Sequence, residues 1–307
     1  MIYTLSLNPA LDHIVGTGDL KLGETNRMTY EKIKAGGKGI NVTNLLKNLG
    51  EESLALGFVG GFTGRELIQL VRDDLGLDEK FIKVKEGFTR INVKIKGKVE
   101  TEINGPGLDI DKDALDKLFE IINTIEDGDY LFLSGSIPDS LGDDFYGKLM
   151  DSLADKKIKI IVDASGPSLT KTLTHRPYLI KPNLRELEGI FGVKINTKDD
   201  LATYARKLRE MGAENVIVSL GGDGAYMINK DNEEYFKKAY QGKIIDTVGS
   251  GDSMVGGFVY GKIHEFTDEE AFKFAVACGS ATAFSPTIAS KEEIYNLYEK
   301  GEGYENN

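Results

Sequence analysis

Cysteine is almost absent: Cys278 is the single one in 307 residues, which removes intramolecular disulfides and every multi-cysteine metal or redox arrangement. Histidine is nearly as scarce, and His13, His175 and His264 stand singly, without the spacing a zinc site needs. Long apolar runs are missing too. The longest, Leu54 to Phe62, is nine residues with three glycines, against the roughly 18 needed to cross a bilayer, so a membrane-spanning reading is excluded. Positive charge is in deficit. The 38 Lys and Arg against 49 Asp and Glu leave a formal charge of −11, opposite to the footprint of a nucleic-acid binder. Any anionic ligand must therefore be held by a local cluster of donors. The opening MIYTLSLNPALD has neither the basic region nor the small-residue cleavage pattern of a signal peptide, so the expected setting is cytoplasmic. Two common nucleotide motifs are also lacking. Gly142 to Leu149 and Gly256 to Ile263 resemble a P-loop but miss its final Ser or Thr, and no complete GxGxxG follows a strand.

What is present is the composition of an ordinary globular protein, 40% hydrophobic and 28% charged. Short apolar β-branched runs alternate with amphipathic segments, which predicts an α/β fold with helices on a mostly parallel sheet. The candidate strands are Ile2–Leu7, Ser53–Phe58, Tyr130–Leu133, Lys159–Val162, Tyr178–Ile180 and Asn215–Ser219. The candidate helices are 39–49, 64–75, 111–124, 142–155, 197–211, 251–264 and 267–284. Residues 12–35 and 88–103 break the alternation: they read as short half-polar strands with no adjacent helix. Such strands form a small separate sheet, expected here to act as a lid over a cleft and to join a second copy. The expected division is a core of 1–11, 36–87 and 104–307 with a discontinuous lid of 12–35 and 88–103.

The strongest chemical signal is Asp246-Thr-Val-Gly249-Ser250-Gly251-Asp252-Ser-Met-Val-Gly256-Gly257-Phe258, a glycine-rich turn running straight into an apolar helix. Gly249 and Gly251 allow the backbone to turn its N–H groups toward one point at a helix N-terminus, where the macrodipole also favours negative charge. Asp252 at the lip of such an anion hole suits a general base that accepts the proton of an attacking hydroxyl. The alternative is a first-turn residue that satisfies orphan helix amides. Gly36-Gly37-Lys38-Gly39-Ile40-Asn41 again places a flexible backbone, a cation and an amide at a helix start. Lys181-Pro182-Asn183-Leu184-Arg185-Glu186 opens another helix, and its i, i+3 spacing puts Asn183 and Glu186 on one face, an arrangement that suits Mg²⁺ directly or through water. Ser219-Leu220-Gly221-Gly222-Asp223-Gly224 leaves a strand end where ligands of open α/β sheets collect, though a tight turn explains it equally.

Together and in this order, TLSLNPALD, GGKGIN, KPNLRE, SLGGDG and DTVGSGDSMVGGF resemble the PfkB, or ribokinase-like, family of carbohydrate kinases over essentially the whole chain. Within it the likeness is to kinases of phosphorylated ketohexoses. The resemblance implies a three-layer αβα sandwich with a small β-sheet lid, and a soluble ATP-dependent phosphotransferase. It implies Asp252 as the catalytic base and the Gly249, Ser250 and Gly251 amides as the anion hole; the family usually carries Ala where Ser250 stands. Asp12 would hold sugar hydroxyls, with Gly37 and Asn41 beside it. Lys181, Asn183, Ser219, Gly221, Gly222, Gly224 and Gly251 would hold ATP, with Ala277 near the adenine, and Asn183 with Glu186 would hold Mg²⁺ through water. A substrate phosphate needs cations of its own, and Arg27 and Arg90 on the lid segments with Lys38 supply them. Ser136 is a further candidate for sugar contact. The implied reaction is transfer to the 6-hydroxyl of fructose 1-phosphate, with tagatose 6-phosphate the alternative substrate and a non-catalytic sugar-phosphate sensor a remote one. A monovalent cation near Asp246 and a homodimer through the lid complete the expectations.

Overall fold

Alternation along the strands sets the layers. On one strand, Tyr130 and Phe132 enter one apolar cluster while Leu131 and Leu133 enter another, because successive strand side chains point to opposite faces. Both faces are therefore covered. The computed structural model describes residues 1–302; the last residues of the expected core, 303–307, lie outside the described residues.

The chain begins with β1 (Ile2–Ser6), β2 (Ala10–Gly16), β3 (Tyr30–Gly36), α1 (Lys38–Leu49), β4 (Leu54–Val59), α2 (Gly61–Gln69), β5 (Asp78–Lys83), β6 (Arg90–Lys96) and β7 (Thr101–Ile103). It continues through α3 (Lys112–Ile122), β8 (Tyr130–Ser134), α4 (Phe145–Asp151), β9 (Lys159–Asp163), α5 (Pro167–Thr170), β10 (Leu179–Ile180), α6 (Leu184–Phe191) and α7 (Lys198–Glu210). The last elements are β11 (Asn215–Ser219), β12 (Ala225–Ile228), β13 (Glu234–Lys237), α8 (Ser250–Ile263), α9 (Asp268–Ala283) and α10 (Lys291–Glu302). Nine strands form the main sheet in the order β13-β12-β11-β10-β9-β8-β1-β4-β5. It is parallel except where β12 pairs with β11 and β13. Leu118, Tyr146, Leu187 and Leu208 bring α3, α4, α6 and α7 onto one face. Leu45, Phe258, Phe274 and Ile294 bring α1, α8, α9 and α10 onto the other. This is the expected αβα sandwich.

The second sheet, β3-β2-β6-β7, has four strands. It corresponds to the segments that broke the alternation, with two corrections. Its first strand starts at Ala10, so Asp12 lies within this sheet rather than at the end of β1. Residues 17–29, expected to be partly strand, are instead a loop: Asn26 Oδ1 accepts the Lys21 amide and Asn26 Nδ2 donates back to the Lys21 carbonyl. Three strands absent from the expectation, β5, β12 and β13, and the helix α10 complete the fold. Edge strands β5 and β13 are at least half charged and half exposed, so they lack the apolar run that marks a central strand.

In α8 every residue from Asp252 to Gly261 is buried, and glycine sets how closely α9 approaches. A Cβ on Gly257 would fall 2.5 Å from Cys278 Sγ and 3.3 Å from Ala275 Cα. The lone cysteine is a packing residue, fully buried. The expected candidate helix 64–75 begins earlier, at Gly61, and its end opens into a π-helical turn at Leu70–Asp74.

Candidate active site

The parallel strands β1, β8 and β9 end at Ser6, Ser134 and Asp163, and the small sheet stands beside these ends. Between them lies a cavity of about 460 Å³ whose walls include Asp12, Asn92 and Lys94 from the small sheet, Lys38 and Asn41 from α1, and Gly249 and Asp252 from α8. It sits where ligands of open α/β sheets bind. The fold thus brings together Asp12, Gly37, Lys38, Asn41, Arg90, Ser136, Glu186, Gly249 and Asp252.

Gly249 has φ 82, the left-handed conformation glycine adopts without strain, and serves as the N-cap of α8. The turn is closed by the Ser250 amide donating to the Thr247 carbonyl at 3.2 Å, and the Ser253 amide then begins the helical ladder on the Gly249 carbonyl at 2.8 Å. Of the amides expected to face an anion, Ser250's is therefore engaged. Those of Gly249 and Gly251, and that of Asp252 beside them, have no partner among the described residues and stand at the positive end of the helix dipole. The Ser250 hydroxyl is buried and unpaired.

Asp252 is 7% exposed, and its Oδ2 accepts a 2.7 Å hydrogen bond from Asn41 Nδ2. Burial, reinforced by the neighbouring Asp163 carboxylate, raises its pKa to about 6, against the opposing pull of Lys38, Asn41 and Lys181. Asp163 was not singled out from the sequence. It is 2% exposed, and its Oδ1 takes Lys38 Nζ at 2.9 Å and Lys181 Nζ at 3.5 Å. Burial alone would raise its pKa, but the two ammonium groups outweigh that and hold it below the ordinary value. Lys181 also rests against the first turn of α8: a Cβ on Gly251 would lie 3.2 Å from its Nζ. Two lysines and two carboxylates, from α1, β9, α8 and the loop after β10, thus form one buried network beside the unbonded amides.

Across the cavity, Asp12 is 7% exposed. Its Oδ1 accepts from Asn92 Nδ2 at 3.0 Å and its Oδ2 pairs with Lys94 Nζ at 2.8 Å. Arg90 uses Nε and Nη2 on the Asn8 carbonyl at 3.1 and 2.8 Å, and Nη1 on the Gly105 carbonyl at 3.3 Å, which leaves two of its five N–H groups for a ligand. Asn92 and Lys94 went unassigned from the sequence, although Arg90-x-Asn92-x-Lys94 in a strand presents all three on one face. Ser134 was also missed; it lines the cavity and its buried hydroxyl has no partner.

The remaining expected residues are placed as follows. Arg27 is exposed in the 17–29 loop and does not line the cavity. Ala277 is fully buried within α9. Asn183 and Glu186 form a capping box, each accepting the other's amide, at 2.9 and 2.8 Å. Gly224 has φ 100, and a Cβ there would fall 2.0 Å from the Lys237 carbonyl, so its identity follows from chain crossing. Ser219 and Asn183 meet in an isolated bridge, which sets the two expected nucleotide loops side by side, while Gly221 and Gly222 are exposed there.

Residues 7–293 match the family described as pfkB family carbohydrate kinase. The chain is 43% identical to the 1-phosphofructokinase of Bacillus subtilis, covering 97% of each chain. It is 38% identical to the D-tagatose-1-phosphate kinase of Bacillus licheniformis, covering 96% of each. Among solved structures it is similar to phosphofructokinase-2 from Escherichia coli in complex with potassium, with TM-score 0.90, 30% identity, and 97% and 98% of the two chains covered.

Proposed function

The chain belongs to the pfkB family of carbohydrate kinases, and from that premise we propose that it transfers the γ-phosphoryl of ATP to the 6-hydroxyl of fructose 1-phosphate, giving fructose 1,6-bisphosphate and ADP. The observation that carries this reading is the Asp252 carboxylate, fixed by Asn41 and set beside the unbonded Gly251 and Asp252 amides. The D-tagatose-1-phosphate kinase relative supports a second reading, a substrate epimeric at one carbon with the same accepting end. It stands beside the tagatose 6-phosphate alternative, in which phosphate and acceptor exchange ends.

In this proposal the sugar hydroxyl gives its proton to Asp252 as it attacks phosphorus in line. The Gly249, Gly251 and Asp252 amides, with Lys181, stabilise the charge of the transferring group. Phosphoryl transfer asks little covalent help of the protein, so positioning and charge stabilisation carry the rate. Asp12, oriented by Asn92 and Lys94, holds sugar hydroxyls, while Arg90 and Lys38 take the 1-phosphate and Ser136 lies at its rim. Lys181, Asn183, Ser219, Gly221 and Gly222 form the nucleotide side. A divalent metal accompanies ATP in this family. Among the described residues no group of three acidic, His or Cys side chains could hold such an ion by itself, which fits Mg²⁺ kept mainly by phosphates and water, with a carboxylate such as Glu186 at its edge. When bound it would neutralise phosphate charge. The small sheet closes as a lid, excludes water, and pairs with a second copy through exposed Tyr30, Ile33 and Ile103. Among the described residues no helix is long and apolar enough to cross a membrane, in keeping with a cytoplasmic kinase.

The test is ADP release by the purified protein with fructose 1-phosphate, fructose 6-phosphate, tagatose 1-phosphate, tagatose 6-phosphate and unphosphorylated fructose. Fructose 1-phosphate is expected to give the highest kcat/KM. Faster turnover of tagatose 1-phosphate would establish the second reading, and no ADP release with any sugar would establish a sensor.

A further inference from the structure

Asp246 lies at the base of the turn that delivers Gly249 and Asp252, with the Ala283 and Pro286 carbonyls near it, and carbonyl oxygens are the kind of lining that replaces the hydration shell of a monovalent ion. The place is already taken by a side chain. Lys34, on β3 of the small sheet, donates from Nζ to the Pro286 carbonyl at 3.1 Å and lies 3.9 Å from Asp246 Oδ2. The other Asp246 oxygen, Oδ1, accepts the Val248 amide at 3.2 Å, and the Ala283 carbonyl is used by the Ile245 and Asp246 amides at 2.8 and 3.3 Å. The surrounding hollow of about 240 Å³ is lined by three more lysines, Lys32, Lys94 and Lys96. Lys94 is paired with Asp12 and Lys96 with Glu100; Lys96 also feels the Asp246 charge, and Lys34 makes the ion pair with the Asp246 carboxylate. The residues present therefore do not fit a bound monovalent ion, which would meet a fixed ammonium at its ligands.

We propose that Lys34 is a built-in cation that does here what a monovalent ion would do, tying Asp246 and the Pro286 carbonyl together so that the Gly249–Asp252 turn keeps its shape. It is a positioning residue. The ammonium donates a hydrogen bond to the Pro286 carbonyl and attracts the Asp246 carboxylate by charge at 3.9 Å, so one compact charge links two different loops. Because Lys34 sits on the small sheet, the same contact couples closure of that sheet to the shape of the anion-binding turn. The catalytic side of this inference rests on the kinase reading, whereas its ion-binding side does not.

The experiment compares wild type, Lys34→Met and Lys34→Gln in potassium, sodium and tetramethylammonium chloride at equal ionic strength, reading both ADP release and thermal unfolding. Wild type is expected to show the same Tm and turnover in all three salts. Each neutral variant is expected to lose about tenfold or more in kcat in tetramethylammonium chloride, the effect of about 1.4 kcal/mol on the barrier, and to recover saturably in potassium, with a Tm that rises with potassium by ligand linkage. A wild-type Tm or turnover that rises severalfold or by several degrees in potassium alone overturns the proposal. So does full turnover of the variants without potassium, or a loss that no ion restores. If wild type releases no ADP with any sugar phosphate, the kinase reading fails, and the Tm comparison still decides the role of Lys34.

Discussion

Replacing Asp252 by asparagine should make the protein more stable and nearly inactive at the same time. Burial and Asp163 raise the folded-state pKa from 3.8 to about 6, a difference worth about 3 kcal/mol at about 1.4 kcal/mol per pKa unit. The sign follows from linkage. A carboxyl whose pKa rises on folding binds its proton more tightly in the native state, so its favourable contribution is complete below the unfolded value and disappears as pH rises through about 6. At pH 8 the native protein therefore holds a buried charge at a cost of about 3 kcal/mol, net of the attraction to Lys38 and Lys181. An asparagine side chain at this position carries no such charge, and its amide oxygen can still accept from Asn41. Urea unfolding at pH 8 should show the Asp252→Asn variant more stable by about this amount, with the advantage vanishing between pH 6 and pH 4. In the coupled ADP assay at pH 8 the same variant should lose roughly 10²- to 10⁴-fold in kcat, the range a general base supplies. A variant less stable than wild type at pH 8 would refute the burial cost, and near-normal turnover would remove Asp252 from the base role.

Asp163→Asn should act in the opposite direction on stability, because it leaves Lys38 and Lys181 crowded together with half their counter-charge gone; breaking such a buried pair costs roughly 3–5 kcal/mol. The Asp163 pKa is depressed, so its stabilisation is present above the unfolded value near 3.8 and is lost as pH falls below it; urea midpoints of the two proteins should converge in acid. Arg90→Lys keeps the charge but loses the fork, and should raise KM for the sugar phosphate by roughly 10- to 100-fold, the worth of a charge-assisted hydrogen bond, with KM for ATP little changed. Equal effects on both substrates would move Arg90 out of the phosphate site. Ser250→Ala removes a buried hydroxyl without a partner and should stabilise by about 1 kcal/mol with turnover intact; a loss of stability would mean that this oxygen is bonded.

What could be read in the sequence was what local spacing enforces. The α8 turn, the start of α1 and the end of β11 each need glycine at fixed offsets, so a few letters reveal them. The small sheet was legible for a related reason, since half-polar strands cannot take a central place in a sheet covered on both faces. Asp163 was not legible because nothing around it in the chain marks it. Its partner Lys38 comes from 125 positions away, and only the folded sheet brings the end of β9 over the start of α1. Asn183 and Glu186 show the converse difficulty: i, i+3 spacing at a helix start serves a capping box and a metal-facing pair alike, and the letters do not separate the two.

The same limit applies to Lys34, which in the sequence is one of several lysines on a polar strand. Its meaning depends on three segments meeting, β3, the turn at Asp246 and the loop at Pro286. The two features that position Asp252 are thus of different kinds. The glycines of α8 let the helix lie against Cys278 and Ala275 in the core, which fixes where the helix sits, while the Lys34 contact reaches in from the small sheet and fixes how the turn before it is held. A change at Gly257 should therefore act on stability before activity, and a change at Lys34 on activity before stability.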